Sequence, residues 1–383
     1  MKRVCFLLII CVIFAGLPRH VDAAQVEVPA QSAILMDMTT GTILLEQNAH
    51  TPLAPASVTK IMTMLLIMEA IDGGQIQWED TVTASEAAAA KGGSQVYLKA
   101  GETMTVADMV KAIAVSSAND CACAMAEFLA GTETAFVDKM NARAKELGMN
   151  DTHFVNCTGL DDSAEAAQHL TSAYDIAIMS RELMMHHPDI QKYTTIWMDS
   201  IRDGTFGLAN TNKLVRFYSG ATGLKTGFTQ NAGYCLSATA QRDGLHLCAV
   251  VMGAKTSQDR FAACKSLLDF GFANYAIIQP KVEENMVIPV KLGTLSAVTV
   301  VPNEQTGLLI DKSQKANVTT ELSLEESVTA PVSQGQRLGT LTIRCGEQIL
   351  AQIPMVAQTA VPRLRWGQIF FQVLQRLTMR QGG

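Results

Sequence analysis

The chain has 383 residues, 48% of them hydrophobic and 17% charged, with a formal net charge of −6. That length favours more than one domain, and the composition excludes a disordered polymer. The acidic balance offers nucleic acid no attraction, so no nucleic-acid partner is expected. The first residues, MKRVCFLLIICVIFAGLPRHVDAAQ, set Lys2 and Arg3 before an apolar run from Val4 to Leu17, then a polar stretch and small residues. This is the layout of a secretory signal peptide over 1-23, cleaved after Ala23. An uncleaved anchor is the alternative, but the run is short for a span of about 20 residues.

SAILMDMTTGTILLEQNA is read as a hairpin turning at Thr39-Thr40-Gly41. APASVTKIMTMLLIMEA follows as a loop entering a helix that is apolar on nearly every side and ends near Asp72-Gly73-Gly74. Its first turn carries Lys60, and burying an unpartnered amine is costly. Lys60 is therefore either a surface residue at a helix end or an amine kept for chemistry. GQIQWEDTVTAS and EAAAAKGGSQVYLKAGE read as loops bordering a cleft, with Gly92-Gly93 a flexible element of the second. TVADMVKAIAVSS opens with a capping box from Thr105 to Asp108. TAFVDKMNARAKELG is an amphipathic helix stopped at Gly148, and Pro188 halts another, TSAYDIAIMSRELMMHHP. GYCLSATAQRDGLHLCAVVMG is a second hairpin with Asp243-Gly244 as its turn, and DRFAACKSLLDFGFANY is a closing helix.

Composition then shifts. From Lys281 to Val361 short Val/Thr/Leu-rich runs, among them MVIPVKLG, LSAVTVVP, TGLLIDK and QRLGTLTIRC, lack helical periodicity and predict a small all-β domain. The last segment, PRLRWGQIFFQVLQRLTMRQGG, carries Arg363, Arg365, Arg376 and Arg380 and no acid. On a helix, Ile369, Phe370, Val373, Leu374 and Leu377 share one face with Trp366 at its edge, a pattern that suits a membrane surface better than a span. A helix docked on its own domain, or one pairing two copies in a homodimer, is the alternative. Nine cysteines include Cys5 and Cys11 in the leader. The others, Cys121, Cys123, Cys157, Cys235, Cys248, Cys264 and Cys345, are odd in number, lack metal-site spacing and are read mostly as small buried hydrophobes. The histidines form no metal-spaced set and are read as surface or helix-end residues; no metal is expected.

Three short motifs remain. Ser57-Val58-Thr59-Lys60 is S-x-x-K, which on a helix sets hydroxyl and amine on one face. An amine with a lowered pKa could take the serine proton and make a nucleophile. Ser117-Ala118-Asn119 is S-x-N between two helical segments, equally well explained as an N-cap serine beside a turn asparagine. Lys225-Thr226-Gly227 is K-T-G where a strand is expected to begin; lysine and hydroxyl could bind a carboxylate while Gly227 admits a close backbone. Each motif alone is common. In this order, S-x-x-K, S-x-N and K-T-G resemble the signature of penicillin-binding proteins and class A β-lactamases.

On these motifs, and on segments such as GGSQVYLKAGETMTVADMVKAIAVSSANDCACAMAE, LGMNDTHFVNCTGLDD and VVMGAKTSQDRF, the chain resembles the low-molecular-mass penicillin-binding proteins of peptidase family S11. These are the serine-type D-alanyl-D-alanine carboxypeptidases, and the sporulation-associated members of endospore formers are the most similar. The resemblance covers roughly residues 25 to 278. It implies an α/β (α+β) penicillin-binding-protein/β-lactamase-like transpeptidase domain over 24-278, then the β-rich domain over 279-361 and the amphipathic helix over 362-383. It further implies Ser57 as acylated nucleophile, Lys60 as its general base and Ser117 as proton relay towards the leaving D-alanine. Asn119 would hold the substrate amide, and Lys225, Thr226 and Arg260 the terminal carboxylate. Gly227 would admit the substrate backbone, and the N–H groups of Ser57 and Phe228 would form an oxyanion hole. Phe228 stands where some members have histidine, so any side-chain role of that histidine is lost.

The implied partners are peptidoglycan stem peptides ending in D-Ala-D-Ala, β-lactams as covalent inhibitors, and the outer face of the cytoplasmic membrane; no cofactor is implied. A class A-like β-lactamase would need a deacylating glutamate in E-x-x-N, whereas the chain offers only Glu165-Ala166-Ala167-Gln168. DD-endopeptidase activity would use the same residues. A non-catalytic wall scaffold would be expected to lose the nucleophile or its base.

Overall fold

A computed structural model describes residues 26, 28–279, 286–303 and 307–370. The predicted leader lies outside these residues. Of the predicted C-terminal helix, 362–370 falls within them: 366–370 is helix, but 362–365 is not, because Arg363 bridges Gly293 and Leu364 N–H donates to Leu292 O in the β-rich segment. No helix among the described residues is long and apolar enough to cross a membrane.

The predicted first hairpin forms strands β1 (Ser32–Asp37) and β2 (Ile43–Gln47). Its turn is shaped by the Asp37 carboxylate, which accepts from Thr40 N–H at 2.9 Å and Thr40 Oγ1 at 2.6 Å, before Gly41 at φ +76°. The second hairpin forms late in the chain. Strand β3 (Ala221–Thr229) precedes β4 (Gly233–Arg242) and β5 (Leu245–Ala254). The β4–β5 turn has Asp243 at φ +49° and Gly244 at φ +81°, the left-handed pair that the sequence Asp-Gly accommodates. The strands make one antiparallel sheet in the order β2-β1-β5-β4-β3, which leaves β3 on an edge.

Both faces of this sheet are covered, so its central strands read as unbroken apolar runs. Side chains alternate between two cores. Ala33, Leu35, Leu247, Ala249 and Val251 pack with Cys264, Leu267 and Leu268 of a helix on one side. Ile34, Met36, Cys248, Val250 and Met252 join a larger helical cluster on the other. At the centre of that cluster lies helix α1 (Lys60–Asp72), surrounded on nearly every side, which is why its sequence shows so little polar face. Around it stand α2 (Val106–Ser116), α3 (Asn119–Ala130), α4 (Glu133–Glu146) and α5 (Ala173–His186). The sheet's other face carries α6 (Ser257–Asn274). Local chemistry sets the ends: Thr105, Thr132, Ser172 and Thr256 each accept from the N–H three residues on, and Gly148 at φ +73° ends α4.

Beyond α6, β6 (Tyr275–Ile278) pairs antiparallel with β9 (Leu308–Asp311), so the run TGLLIDK belongs to this two-stranded pair. The predicted all-β segment supplies β7 (Val287–Lys291), β8 (Ala297–Pro302), β10 (Val318–Leu324), β11 (Val328–Thr329), β12 (Arg337–Cys345) and β13 (Gln348–Ala357). They form a six-stranded sheet in the order β10-β12-β13-β8-β7-β11 over a separate core that includes Ile288, Val300, Leu338, Ile343 and Met355.

One expectation needs correction and another holds. The histidines are not all surface or helix-end residues: His169 and His246 are buried, the first against Thr59 and the second against Thr222. The cysteines Cys121, Cys123, Cys157, Cys235, Cys248 and Cys264 are buried free thiols as read, but Cys345 is only half-buried.

Burial depresses the imidazoles of His169 and His246 from their ordinary value to about 4. Above the unfolded value of about 6.5 neither state takes a proton, whereas between about 6.5 and 4 the unfolded chain takes protons that the native state refuses. Stability should therefore fall as pH drops through that window, by roughly 2–3 kcal/mol for each imidazole. Denaturant midpoints measured from pH 7.5 to 4.5 check this, and His246→Gln should flatten the decline.

Candidate active site

The three motifs converge. Ser57 lies on a 3-10 turn (Ala56–Thr59) rather than in the α-helix itself, and Lys60 is the first residue of α1. The tighter turn still brings the pair together: Lys60 Nζ donates to Ser57 Oγ at 2.9 Å and to the carbonyl of Thr158 at 2.9 Å. Lys60 is fully buried. Burial lowers its amine to about 7, against the opposing pull of Cys157 and of the Asp120 carboxylate. An amine poised there can be neutral, and so a base, at neutral pH.

Ser117 is not an N-cap. It closes α2 in the left-handed region at φ +67°, its N–H donating to Ala112 O, and α3 begins two residues later with Asn119. Asn119 is tied to the loop before α2: its N–H donates to Ser94 O at 2.7 Å, its Nδ2 to Gly92 O at 2.7 Å, and a Cβ at Gly93 would lie 2.7 Å from that Nδ2. Gly93 thus shapes the cleft by close packing, whereas at Gly92 a Cβ would meet nothing within 4 Å. Among the described residues Ser117 Oγ, Asn119 Oδ1 and Arg260 Nε are buried without a hydrogen-bond partner, as is Ser32 Oγ elsewhere. Unpaired buried polar atoms are costly, and those of Ser117, Asn119 and Arg260, two in a motif and all three in expected site residues, mark a place shaped for a polar ligand.

Lys225-Thr226-Gly227 does not begin a strand; it occupies the middle of edge strand β3. Lys225 is buried and donates to Thr226 O at 2.9 Å. Burial first, then the like charges of Lys60 and Arg260, push its amine well below the ordinary lysine value. Thr226 Oγ1 donates to Thr211 Oγ1 at 2.7 Å. Gly227 lies against the serine turn, where a Cβ would be 2.6 Å from Pro55 O and 3.1 Å from Ser57 N, so its missing side chain makes room for that turn and not, as expected, for the substrate backbone. Phe228 is half exposed and stacked on Tyr234 at 4.3 Å between centroids. Arg260 reaches across from α6: its Nη1 donates to Gly227 O at 2.9 Å, and its guanidinium lies over the Tyr234 and Phe261 rings at 5.3 and 4.8 Å. Hydroxyl, tuned amine and a cation-rich strand edge together suit nucleophilic attack on a carbonyl whose neighbour carries negative charge.

Glu165 is exposed, on a short 3-10 turn (Ala164–Gln168). The partner of Lys60 at the comparable place is instead the Thr158 carbonyl. Sequence reasoning missed the residues that hold these groups. Asp120 is fully buried and accepts from Val96, Leu98 and Cys121 N–H at 3.1, 3.0 and 2.9 Å. Tyr97 at φ +58° lets the first two N–H groups converge on it. His169 contacts Thr59, and Asn156 Oδ1 accepts from Thr158 and Gly159 N–H in a local turn. Asn156-Cys157-Thr158-Gly159 carries a turn signal, an asparagine three residues before a glycine, that the sequence reading did not use; His169 and Asp120 carried no local signal.

The profile of the D-alanyl-D-alanine carboxypeptidase family matches residues 19–256, and that of the penicillin-binding protein 5 C-terminal domain matches residues 280–363. The chain is 44% identical over 336 residues to D-alanyl-D-alanine carboxypeptidase DacF of Bacillus subtilis, covering 86% of this chain and 85% of that one. Its fold is similar to penicillin binding protein 5 from Haemophilus influenzae, with TM-score 0.72, 28% identity and coverage of 88% of this chain and 98% of the other. It is also similar to ampicillin-bound penicillin-binding protein D2 from Listeria monocytogenes, with TM-score 0.59, 32% identity and coverage of 64% and 98%.

The closest packing around the site is at Gly159, where φ is +81° and a Cβ would lie 1.8 Å from Ala56 O and 2.7 Å from Thr59 Oγ1. Gly159→Ala should destabilise the fold by about 2 kcal/mol or more, read as a lowered denaturant midpoint.

Proposed function

The chain belongs to the D-alanyl-D-alanine carboxypeptidase family, and on that premise we propose how its residues carry out the reaction. The protein is a serine-type D-alanyl-D-alanine carboxypeptidase. The observation that carries the proposal is the fully buried Lys60 amine, lowered to about 7, at 2.9 Å from Ser57 Oγ.

Ser57 Oγ attacks the carbonyl carbon of the penultimate D-alanine while neutral Lys60 takes its proton. The negative charge on the carbonyl oxygen is met by the N–H groups of Ser57 and Phe228. Ser117 passes a proton to the departing amine; the C–N bond breaks, the terminal D-alanine leaves, and water releases the shortened peptide from Ser57. Asn119 holds the stem-peptide amide, and Lys225, Thr226 and Arg260 draw the terminal carboxylate to the β3 edge. A β-lactam follows the first step on the same serine, as its ring amide presents the same carbonyl. The exposed position of Glu165 supports slow release of such an adduct, against a β-lactamase.

Members of this family act on peptidoglycan D-Ala-D-Ala stems and bind β-lactams. For this chain, residues 1-23 are an export signal, 24-278 the catalytic domain, 279-361 the β-rich domain and 362-383 a basic amphipathic segment that rests the protein on the outer face of the membrane. Basic residues and the exposed Trp366 support that last assignment.

Two measurements test the reading. Full-length protein in mild detergent, given fluorescent penicillin and diacetyl-Lys-D-Ala-D-Ala, should label stoichiometrically and release D-alanine, and Ser57→Ala should lose both. Rapid loss of label with penicillin turnover would favour the β-lactamase. The second is the pH dependence of the acylation rate. It should rise as a single deprotonation with a midpoint near 7, the value to which burial brings Lys60. A rate flat from pH 5.5 to 8.5 would remove Lys60 as the base.

A further inference from the structure

Ala56, the residue before the nucleophile, has φ +48°, in the left-handed region that residues with a Cβ avoid. Its carbonyl and the Ser57 N–H belong to one planar peptide unit and point in opposite directions. Whatever holds that carbonyl therefore aims the N–H. The carbonyl accepts from Thr59 Oγ1 at 2.8 Å, and Gly159 crowds it so closely that no side chain fits between them. Thr59 Oγ1 in turn lies 2.8 Å from His169 Nε2, and Val155 N–H donates to His169 Nδ1 at 3.1 Å.

These contacts leave one assignment of hydrogens. The Thr59 hydroxyl gives its only proton to Ala56, so it accepts from the imidazole; Val155 needs a lone pair on Nδ1, so the ring carries its hydrogen on Nε2. Both residues are buried, Thr59 at 0% and His169 at 3% exposure, so water does not replace either bond. The ring is further held by Phe154, edge-on at 5.6 Å between centroids.

We propose that His169 is a positioning residue for the reaction: acting through Thr59, it locks the Ala56–Ser57 peptide plane so that the Ser57 N–H faces the oxyanion of the tetrahedral intermediate. The proposal rests on the reading of Ser57 as the nucleophile whose own N–H meets that charge. Stabilisation of this kind works only if the donor is already oriented, and a strained left-handed residue beside it would relax if the clamp were removed.

Two amides separate this role from mere support. In His169→Gln the side-chain Nε2 can replace the ring Nε2 and still donate to Thr59. In His169→Asn the carbonyl can replace Nδ1 and still accept from Val155, but nothing reaches Thr59. With full-length protein and fluorescent penicillin, the acylation rate constant and the dissociation constant of the preceding complex are measured separately. His169→Gln should acylate within about threefold of the parent, and His169→Asn roughly tenfold to a hundredfold more slowly with an unchanged dissociation constant. Thr59→Val should match the Asn variant and Thr59→Ser the parent, which keeps the test open should His169→Asn fail to fold. Equal rates in the Gln and Asn variants, or a loss residing in the dissociation constant, would overturn the proposal. Labelling that persists in Ser57→Ala would instead overturn the nucleophile reading beneath it, whatever the His169 series shows.

Discussion

The arrangement depends on burying one amine. Lys60 sits at the head of a helix enclosed by core, and desolvation there sets its pKa. A solvated lysine would be protonated at neutral pH and useless as a base. Sinking it requires a helix without a polar face, a carbonyl to receive one of its hydrogens, and a hydroxyl within reach; α1, Thr158 and Ser57 meet these needs in turn. The second buried lysine is lowered in its turn, by burial first and then by the like charges of Lys60 and Arg260. A carboxylate entering beside them would relieve that repulsion, so recognition of an anionic end and tuning of the base are the same electrostatics seen from two sides.

The sheet explains how one site draws on residues so far apart in sequence. Its two-sided burial lets the helical cluster and α6 grip it from opposite faces, leaving the β3 edge free for K-T-G and bringing Arg260 through from behind. The serine turn is pressed on that edge at Gly227, and the S-x-N corner closes the other side where α2 hands over to α3. Left-handed residues recur at these joints, at Ala56, Tyr97 and Ser117. Each is held by nearby hydrogen bonds or caps, as expected where strain is kept for function.

Much of this was legible in the sequence because it is local. A capping box announced α2, Asp243-Gly244 announced its turn, and the S-x-x-K spacing survived even though the turn is 3-10 rather than α. The start of β3 was misplaced because Gly220 and Gly223 weaken its strand signal; the strand already runs from Ala221. The buried histidines were misread for a different reason. His169 meets Thr59 across a separation of 110 residues, and nothing in HLTSAYD distinguishes an inward imidazole from an outward one. Asp120 suffered likewise, hidden behind Asn119 in the motif while its partners lie in the loop before α2. Local chemistry writes caps and turns into the sequence; long-range satisfaction of buried polar groups leaves no such trace.

The cysteines have a consequence of another kind. Six thiols are sealed in the core; burial raises those of Cys121, Cys235, Cys248 and Cys264 above the ordinary value, and a hydrogen bond with Cys123, then burial, raises that of Cys157. Neither access nor thiolate is available while the fold is closed. Alkylation and oxidation of these sulfurs must therefore wait for the core to open, so the chemical ageing of the protein keeps time with its conformational breathing.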